Sequence, residues 1–294
     1  PDSYGARRLD GEGLAARRND LIVDGELCGF LHHSQSAARA GVSSTASAQG
    51  IIDITPDYIP NHVGVGVGGV PDYVGSSDYM IGAAPIGRYS WGERYVSVTA
   101  NFAEANLLDH PHWRLGPSAT WRFGRDDVDD AAVDALPDID GALELGGFVG
   151  YSLRTGDDAR SLLTFNAGIT QDVTGNHGGF VASVGLRKWF PVRDFAALGL
   201  AFGASYGSGE YTDKFFSVTP SAAAASGLPA FEADGGLRDA RLTAVFVQAV
   251  HPSVVVGAGA LYARLLQDAA ESPITDESGS PNQLVFGIGV AYLF

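Results

Sequence analysis

The sequence predicts an all-β protein: an antiparallel transmembrane β-barrel of twelve strands, with ten as the alternative, over residues 61–294, preceded by a mostly disordered extension over residues 1–60. Three observations lead there. Apolar and small or polar residues alternate in block after block from residue 62 onward, the period of strands. The faces opposite the apolar ones carry Gly, Ser, Thr and charges of both signs, which suits a lumen better than the solvated face of a sandwich. The final segment, "LVFGIGVAYLF", alternates without interruption to a terminal aromatic.

Composition points the same way. The chain of 294 residues holds 39 Gly, 15 Phe and 11 Tyr, and glycine with aromatics at that level suggests many short strands. Net charge is −15, which excludes nucleic acid as a partner, since phosphate binding needs a basic face. Cys28 is the only cysteine, so neither an internal disulfide nor a Cys-rich zinc site can form. No apolar run reaches the length of a membrane helix; the closest case, residues 242–266, is broken by Gln248, His251, Pro252 and Ser253. Strands of a membrane barrel need only about 9–11 residues.

Residues 1–60 show no sustained period. "ARRLDGEGLAARRND" is charged and "SQSAARAGVSSTASAQG" is small and polar, hence the expectation of disorder. Ala46-Ser47-Ala48 resembles a signal-peptidase site, but "HHSQSAARAG" before it has no apolar core, so no signal peptide is expected there.

The first strand opens with "HVGVGVGGV", in which Gly64, Gly66 and Gly69 fit a dinucleotide-binding fingerprint. That motif needs a helix to follow. Pro71, Gly75, Ser76 and Ser77 follow instead, and the only nearby acid at a suitable distance, Glu93, sits in the turn-like "SWGER". The better reading is a strand with Val63, Val65 and Val67 on one face and Gly64, Gly66 and Gly68 on a nearly empty one. No cofactor is expected.

Later blocks repeat the scheme. Trp113, Leu115, Ala119, Trp121 and Phe123 oppose Arg114, Ser118, Thr120 and Arg122. Leu143, Leu145, Val149, Tyr151 and Leu153 oppose Glu144, Ser152 and Arg154. Leu163, Phe165, Ala167 and Ile169 oppose Thr164, Asn166 and Thr170; Leu198, Leu200, Phe202, Ala204 and Tyr206 oppose Gly, Ala201 and Ser205. Leu242, Ala244, Phe246 and Val250 oppose Asp239, Arg241 and Thr243. Breaks such as "DHPH", "RTGDDA", "FPVRD" and "HPSV" separate them. Eleven candidate strands can be counted; single-chain barrels have even numbers, so one is missed or merged.

The apolar faces often end in aromatics: Tyr89 and Trp91, Trp113 and Phe123, Tyr206, Tyr292, as at the two membrane interfaces of a barrel. In the last strand Phe286, Ile288, Val290, Tyr292 and Phe294 share one face, the pattern such barrels present to the barrel-assembly machinery. In a soluble protein an edge this apolar would invite aggregation.

Several blocks resemble the MipA/OmpV family of outer-membrane proteins: "PDYVGSSD" (71–78), "GRDD" with "LPDIDGALELGGF" (124–148), "FFSVTPSAAAASGLPAFEADGG" (215–236), "LLQDAAESPIT" (265–275) and the aromatic last strand, all in family order. Ser217 and Phe231 depart from the glycine and tyrosine expected there. The resemblance implies a barrel of the bacterial outer membrane. It also implies a scaffold that joins a lytic transglycosylase to a murein synthase, with outer-membrane lipid and periplasmic murein enzymes as partners. It supplies no catalytic motif.

Candidate sites are few. His62, His110, His112, His177 and His251 read as loop residues without a serine or acid at catalytic spacing, so no enzyme activity is expected. His110 and His112 lack a third metal ligand. The acidic stretch "DDVDDAAVDALPDIDG" lacks the EF-hand order and reads as a loop with one helical turn, so no metal is expected there either. The remaining candidates are charges expected to face the lumen: Arg114, Arg122, Glu144, Arg154, Arg187, Asp239 and Arg241. A channel for small solutes or a binding barrel is the alternative to a scaffold, and a lipid-modifying barrel enzyme comes third.

Overall fold

The computed structural model describes residues 59, 61–126 and 128–294, with a two-residue ladder pairing Ile22–Val23 and Glu26–Leu27 outside the barrel. The expected disorder of residues 1–60, the Ala46-Ser47-Ala48 site and Cys28 otherwise lie outside the described residues.

Twelve antiparallel strands close into one barrel. In chain order they are β1 (His62–Pro71), β2 (Tyr79–Trp91), β3 (Arg94–Thr99), β4 (Phe102–Asn106), β5 (Trp113–Arg122) and β6 (Ala142–Arg154). Then come β7 (Leu162–Asp172), β8 (Phe180–Arg193), β9 (Ala196–Gly207), β10 (Gly236–His251), β11 (Val254–Leu265) and β12 (Asn282–Leu293). Each strand pairs with its sequence neighbours, and β12 pairs with β1 from Phe286↔Gly69 to Leu293↔His62. Closure leaves no end strand, the condition for a sheet to stand in lipid.

Alternation becomes outside and inside. Val63, Val65, Val67, Leu115, Phe165, Phe202, Leu242 and Ile288 are exposed on the outer surface. Their neighbours along the strands, such as Ser152, Thr164, Ser205 and Ala291, are buried inward. Trp91, Tyr89 and Trp113 lie outward at the end where β1 begins and β12 stops, here the terminal end; Tyr79, Trp121 and Tyr206 lie outward toward the opposite, loop end.

The glycines of β1 do something other than leave a face empty. A Cβ on Gly64 would lie 2.2 Å from the Val290 carbonyl oxygen, and one on Gly68 2.2 Å from that of Phe286. The β12–β1 seam is bent so sharply that the neighbouring backbone fills the space a side chain would need. Gly116 and Gly146 are in the same position against Ala105 and Ile169. Inward glycine therefore signals curvature at these places and space only at others, such as Gly82, where nothing lies within 4 Å.

Connections at the terminal end are mostly short: Gly92–Glu93, Asp194–Phe195 and Pro252–Ser253 link strands directly. The "FPVRD" stretch is strand as far as Arg193, and the reversal falls on Phe195 at φ 58°. The loop end carries five longer connections. In them lie α1 (Ala131–Asp134), α2 (Gly209–Phe216), α3 (Pro220–Ser226), α4 (Asp268–Glu271) and α5 (Pro273–Asp276). Local chemistry starts them: Asp130 caps α1 and Ser208 caps α2, while Thr219 caps α3 with Pro220 in its first turn. Gly227 ends α3 at φ 84°.

Both ends of the barrel are packed. At the loop end Tyr73, Val133, Leu136, Val218, Leu228 and Ile274 form one apolar cluster. Ile139, Val181, Tyr211, Phe215, Phe216 and Leu265 form a second. Burial pushes the Tyr73 hydroxyl up to about 12, with the Asp130 carboxylate adding to the shift, so the cap holds it as a neutral phenol. Arg125 ties the cap down by donating to the Phe215 carbonyl at 3.2 Å. At the terminal end Ile59, Ile86, Trp189, Ala197, Val245, Val247 and Val255 pack together, so Ile59 belongs with the barrel. The Trp189 ring takes the place a side chain on Gly199 would occupy.

Candidate functional site

Below the cap, strands β5, β6, β7 and β10 bring charged side chains, and β9 a serine, to one level of the lumen. The Arg122 guanidinium grips Glu144 with both arms, Nε to Oε1 and Nη2 to Oε2, each 2.8 Å. Thr170 Oγ1 donates to Glu144 Oε2 at 2.7 Å, and His177 Nε2 lies 3.2 Å from Oε1. Glu144 is fully buried, and such a carboxylate persists only when paired and hydrogen-bonded. The His177 ring is held from both sides: Gly179 N–H donates to Nδ1, which places the ring proton on Nε2 facing Glu144. Both nitrogens are occupied, so the ring offers no free base.

Asp172 shapes the loop that delivers His177. Its Oδ1 accepts from the backbone N–H groups of Thr174 and Gly175, and its Oδ2 from those of His177 and Gly178. His62 also differs from a loop residue: it begins β1 and is buried inside the terminal end.

A second group centres on Asp239. It accepts from Ser205 Oγ at 2.5 Å and from Arg238 Nε at 2.7 Å. Arg241 Nε lies 3.0 Å from Asp239 Oδ1, close enough for ion pairing but off the line of a hydrogen bond. Arg238 and Asp239 both point inward because the register shifts by one residue opposite Ser205 and Tyr206. Strict alternation would turn Arg238 to lipid, so the sequence alone misses it. Tyr211 of α2 joins the groups: Arg238 Nη1 donates to its hydroxyl at 2.9 Å, and Arg122 and Arg238 lie 5.5 and 5.4 Å from its ring centre. A cavity of about 270 Å³ lies beneath, reached by Arg122, Arg238, Asp239, Arg241, Asn101 and Gln283.

Arg122, Glu144, Asp239 and Arg241 thus gather at one level. Arg187 lines a smaller cavity of about 70 Å³ that also reaches Arg241. Arg114 is elsewhere, fully buried toward the terminal end, where it donates to the carbonyls of His110 and Trp113. Arg154 ends β6 exposed at the rim. A further inward group, absent from the sequence reading, stands at the terminal end: Arg88 lies 3.8 Å over the Tyr95 ring, whose hydroxyl donates to Glu104 at 2.8 Å.

His110 and His112 are engaged with the backbone of their own turn and of β6. Among the described residues no three His, Cys, Asp or Glu side chains gather to hold a metal ion. Of the two departures noted in the sequence, Phe231 exchanges backbone hydrogen bonds with Val218, and Ser217 Oγ accepts from Ala233 N–H at 2.9 Å.

Several solved structures have a similar outline. The NanC porin aligns with 80% of this chain and 100% of its own at 10% identity, TM-score 0.45. An outer-membrane channel from Pseudomonas putida F1 aligns with 80% of this chain and 96% of its own at 14% identity, TM-score 0.42. The CymD monoaromatic hydrocarbon channel gives 80%, 89% and 11%, TM-score 0.33. No curated protein matches. Residues 1–63 match the family described as PmbA/TldA metallopeptidase C-terminal domain, a likeness the sequence reading did not find. Residues 63–294, all of the barrel but its first residue, match the family described as MltA-interacting protein MipA, and the chain belongs to that family.

Proposed function

We propose that the protein is a non-enzymatic barrel of the bacterial outer membrane that serves as an envelope scaffold, holding murein-cleaving and murein-synthesising enzymes at its periplasmic face. The observation that carries this reading is the packing of both barrel ends, by the helical cap at one and the Trp189 cluster at the other. A lumen stoppered twice is poorly suited to bulk flow. Long loops outward and short turns inward is the usual orientation, which puts the termini and the 107–112 and 155–161 connections in the periplasm. The family's description as MltA-interacting supports a murein-cleaving partner there. The C-terminal face of Phe286, Ile288, Val290, Tyr292 and Phe294 is proposed as the signal read by the assembly machinery, and residues 1–57 as a unit the barrel does not need.

The test is capture from detergent-solubilised envelopes with the barrel as bait. Murein enzymes enriched over an unrelated barrel support the scaffold; their absence, together with steady conductance in planar bilayers, replaces it with a channel.

A further inference from the structure

The barrel wall is incomplete on one side. Strands β3 and β4 have six and five residues, beside β2 with 13 and β5 with 10. Pairing of β2 with β3 begins at Ile86↔Thr99, with the Pro85 carbonyl accepting from Ala100 N–H at 2.8 Å just before it, so Tyr79–Ala84 has no ladder on that side. The β3–β4 turn at Ala100 and Asn101 is level with Trp121, whose N–H donates to the Asn101 carbonyl at 2.8 Å, but stops well short of the outward Tyr79 at the loop end of β2. Unpaired backbone at this depth is tolerated where it lines a cavity rather than lipid tails.

A cavity of about 400 Å³ lies at that place. Its lining takes in inward residues such as Gly68, Gly82 and Val285 and outward ones such as Val67, Ile288, Trp121 and Phe123, so it touches both faces of the wall. Its lining is apolar except near Thr99 and Asn101. It shares Asn101 and Val285 with the charged chamber inside. The size falls within the about 300–1,000 Å³ of small-molecule sites.

The chamber end is polar and carries an excess of positive groups. Arg122, Arg238 and Arg241 face Asp239 and Glu144, and Arg241 Nε is buried without a hydrogen-bond partner among the described residues. Asn101 Oδ1 stands at the threshold, buried and without a partner among them. An apolar side door from the membrane to a guanidinium is a shape with two chemistries. We propose that it takes a single-chain anionic amphiphile from the membrane, its carboxylate on Arg241 in the chamber and its acyl chain lying in the side opening past Gly82.

The experiment measures equilibrium binding of oleate to the full chain in nanodiscs, with oleyl alcohol and an oleyl trimethylammonium salt as controls. Saturable binding of oleate, at least about tenfold tighter than either control, is the expected result. Gly82→Phe fills the opening where a Cβ meets nothing, and Arg241→Gln removes the charge; each should weaken oleate about tenfold while the heat-modifiable band remains. Equal affinity for oleate and the alcohol, no saturable binding, or a folded Gly82→Phe variant within twofold of the parent overturns the proposal. Should either variant fail to fold, the three-ligand comparison on the parent decides.

Discussion

Arg122 and Glu144 face each other across the β5–β6 ladder, joined by two parallel hydrogen bonds of 2.8 Å inside the lumen. Residues 22 positions apart in the chain are diagonal cross-strand neighbours, Glu144 lying two residues from Ala142, the register partner of Arg122. Everything else at that level, from Thr170 to His177, is arranged around the buried Glu144 carboxylate.

Removing one partner of such a pair is costly, because the other charge stays behind. Breaking a buried pair costs about 3–5 kcal/mol, and partial solvation of Arg122 places Glu144→Ala toward the lower end. The midpoint of urea unfolding in detergent should fall clearly, whereas Arg122→Met with Glu144→Leu should recover much of the loss. Equal midpoints for single and double variants would contradict a coupled pair.

Two inward glycines of one motif should differ from a third inward glycine nearby. Gly68→Ala forces a Cβ against the Phe286 carbonyl and should cost about 1–3 kcal/mol through overpacking. Gly82→Ala meets open space and should be near neutral. Gly64→Ala should follow Gly68. Unfolding midpoints of the three variants check the order. Purified protein should show no saturable binding of NAD or FAD.

Closure of the lumen predicts electrical silence in planar bilayers. Gly209 and Gly235 lie side by side, so residues 210–234 can be removed and the ends joined across a short gap. That deletion combined with Trp189→Ala removes material from both plugs, and discrete conductance steps should follow. Steps from the unaltered protein would contradict the closed lumen.

Removing residues 1–57 behind a supplied signal peptide should leave a heat-modifiable barrel band on gels, since Ile59 and the described residues packed with it are kept. Loss of the band would show that the segment is structural.

The wall was largely legible in the sequence because lipid and lumen impose opposite chemistry on alternate residues. Val63, Val65 and Val67 or Leu163 and Phe165 leave no doubt about the face. The strand count was harder. The β3–β4 turn is Ala100 and Asn101, with Ala100 at φ 52°, and holds neither Gly nor Pro to mark it. Twelve followed from the even-number rule rather than from twelve separate signals. The charged chamber was legible only in part. Asp239 and Arg241 fall on the inward period, but Arg238 depends on a one-residue register shift set by β9. His177 reads as a loop polar residue because its partner, Glu144, is 33 positions away. The side opening is invisible to periodicity, being an absence of wall rather than a pattern in it.

The environment of position 288 separates a membrane barrel from a soluble one. Ile288 is 68% exposed on the outer face of β12, so it touches lipid if the barrel spans a membrane. Arginine at the midplane of such a barrel costs about 2–4 kcal/mol, but a buried sandwich position would suffer as well, so stability alone does not separate the two. Cysteine introduced as Ile288→Cys, with Cys28 replaced, separates them. A membrane barrel gives reaction with a membrane-confined maleimide and protection from a charged, water-soluble one. Reaction with the water-soluble reagent alone, or a protein that stays dispersed without detergent, would contradict the membrane barrel.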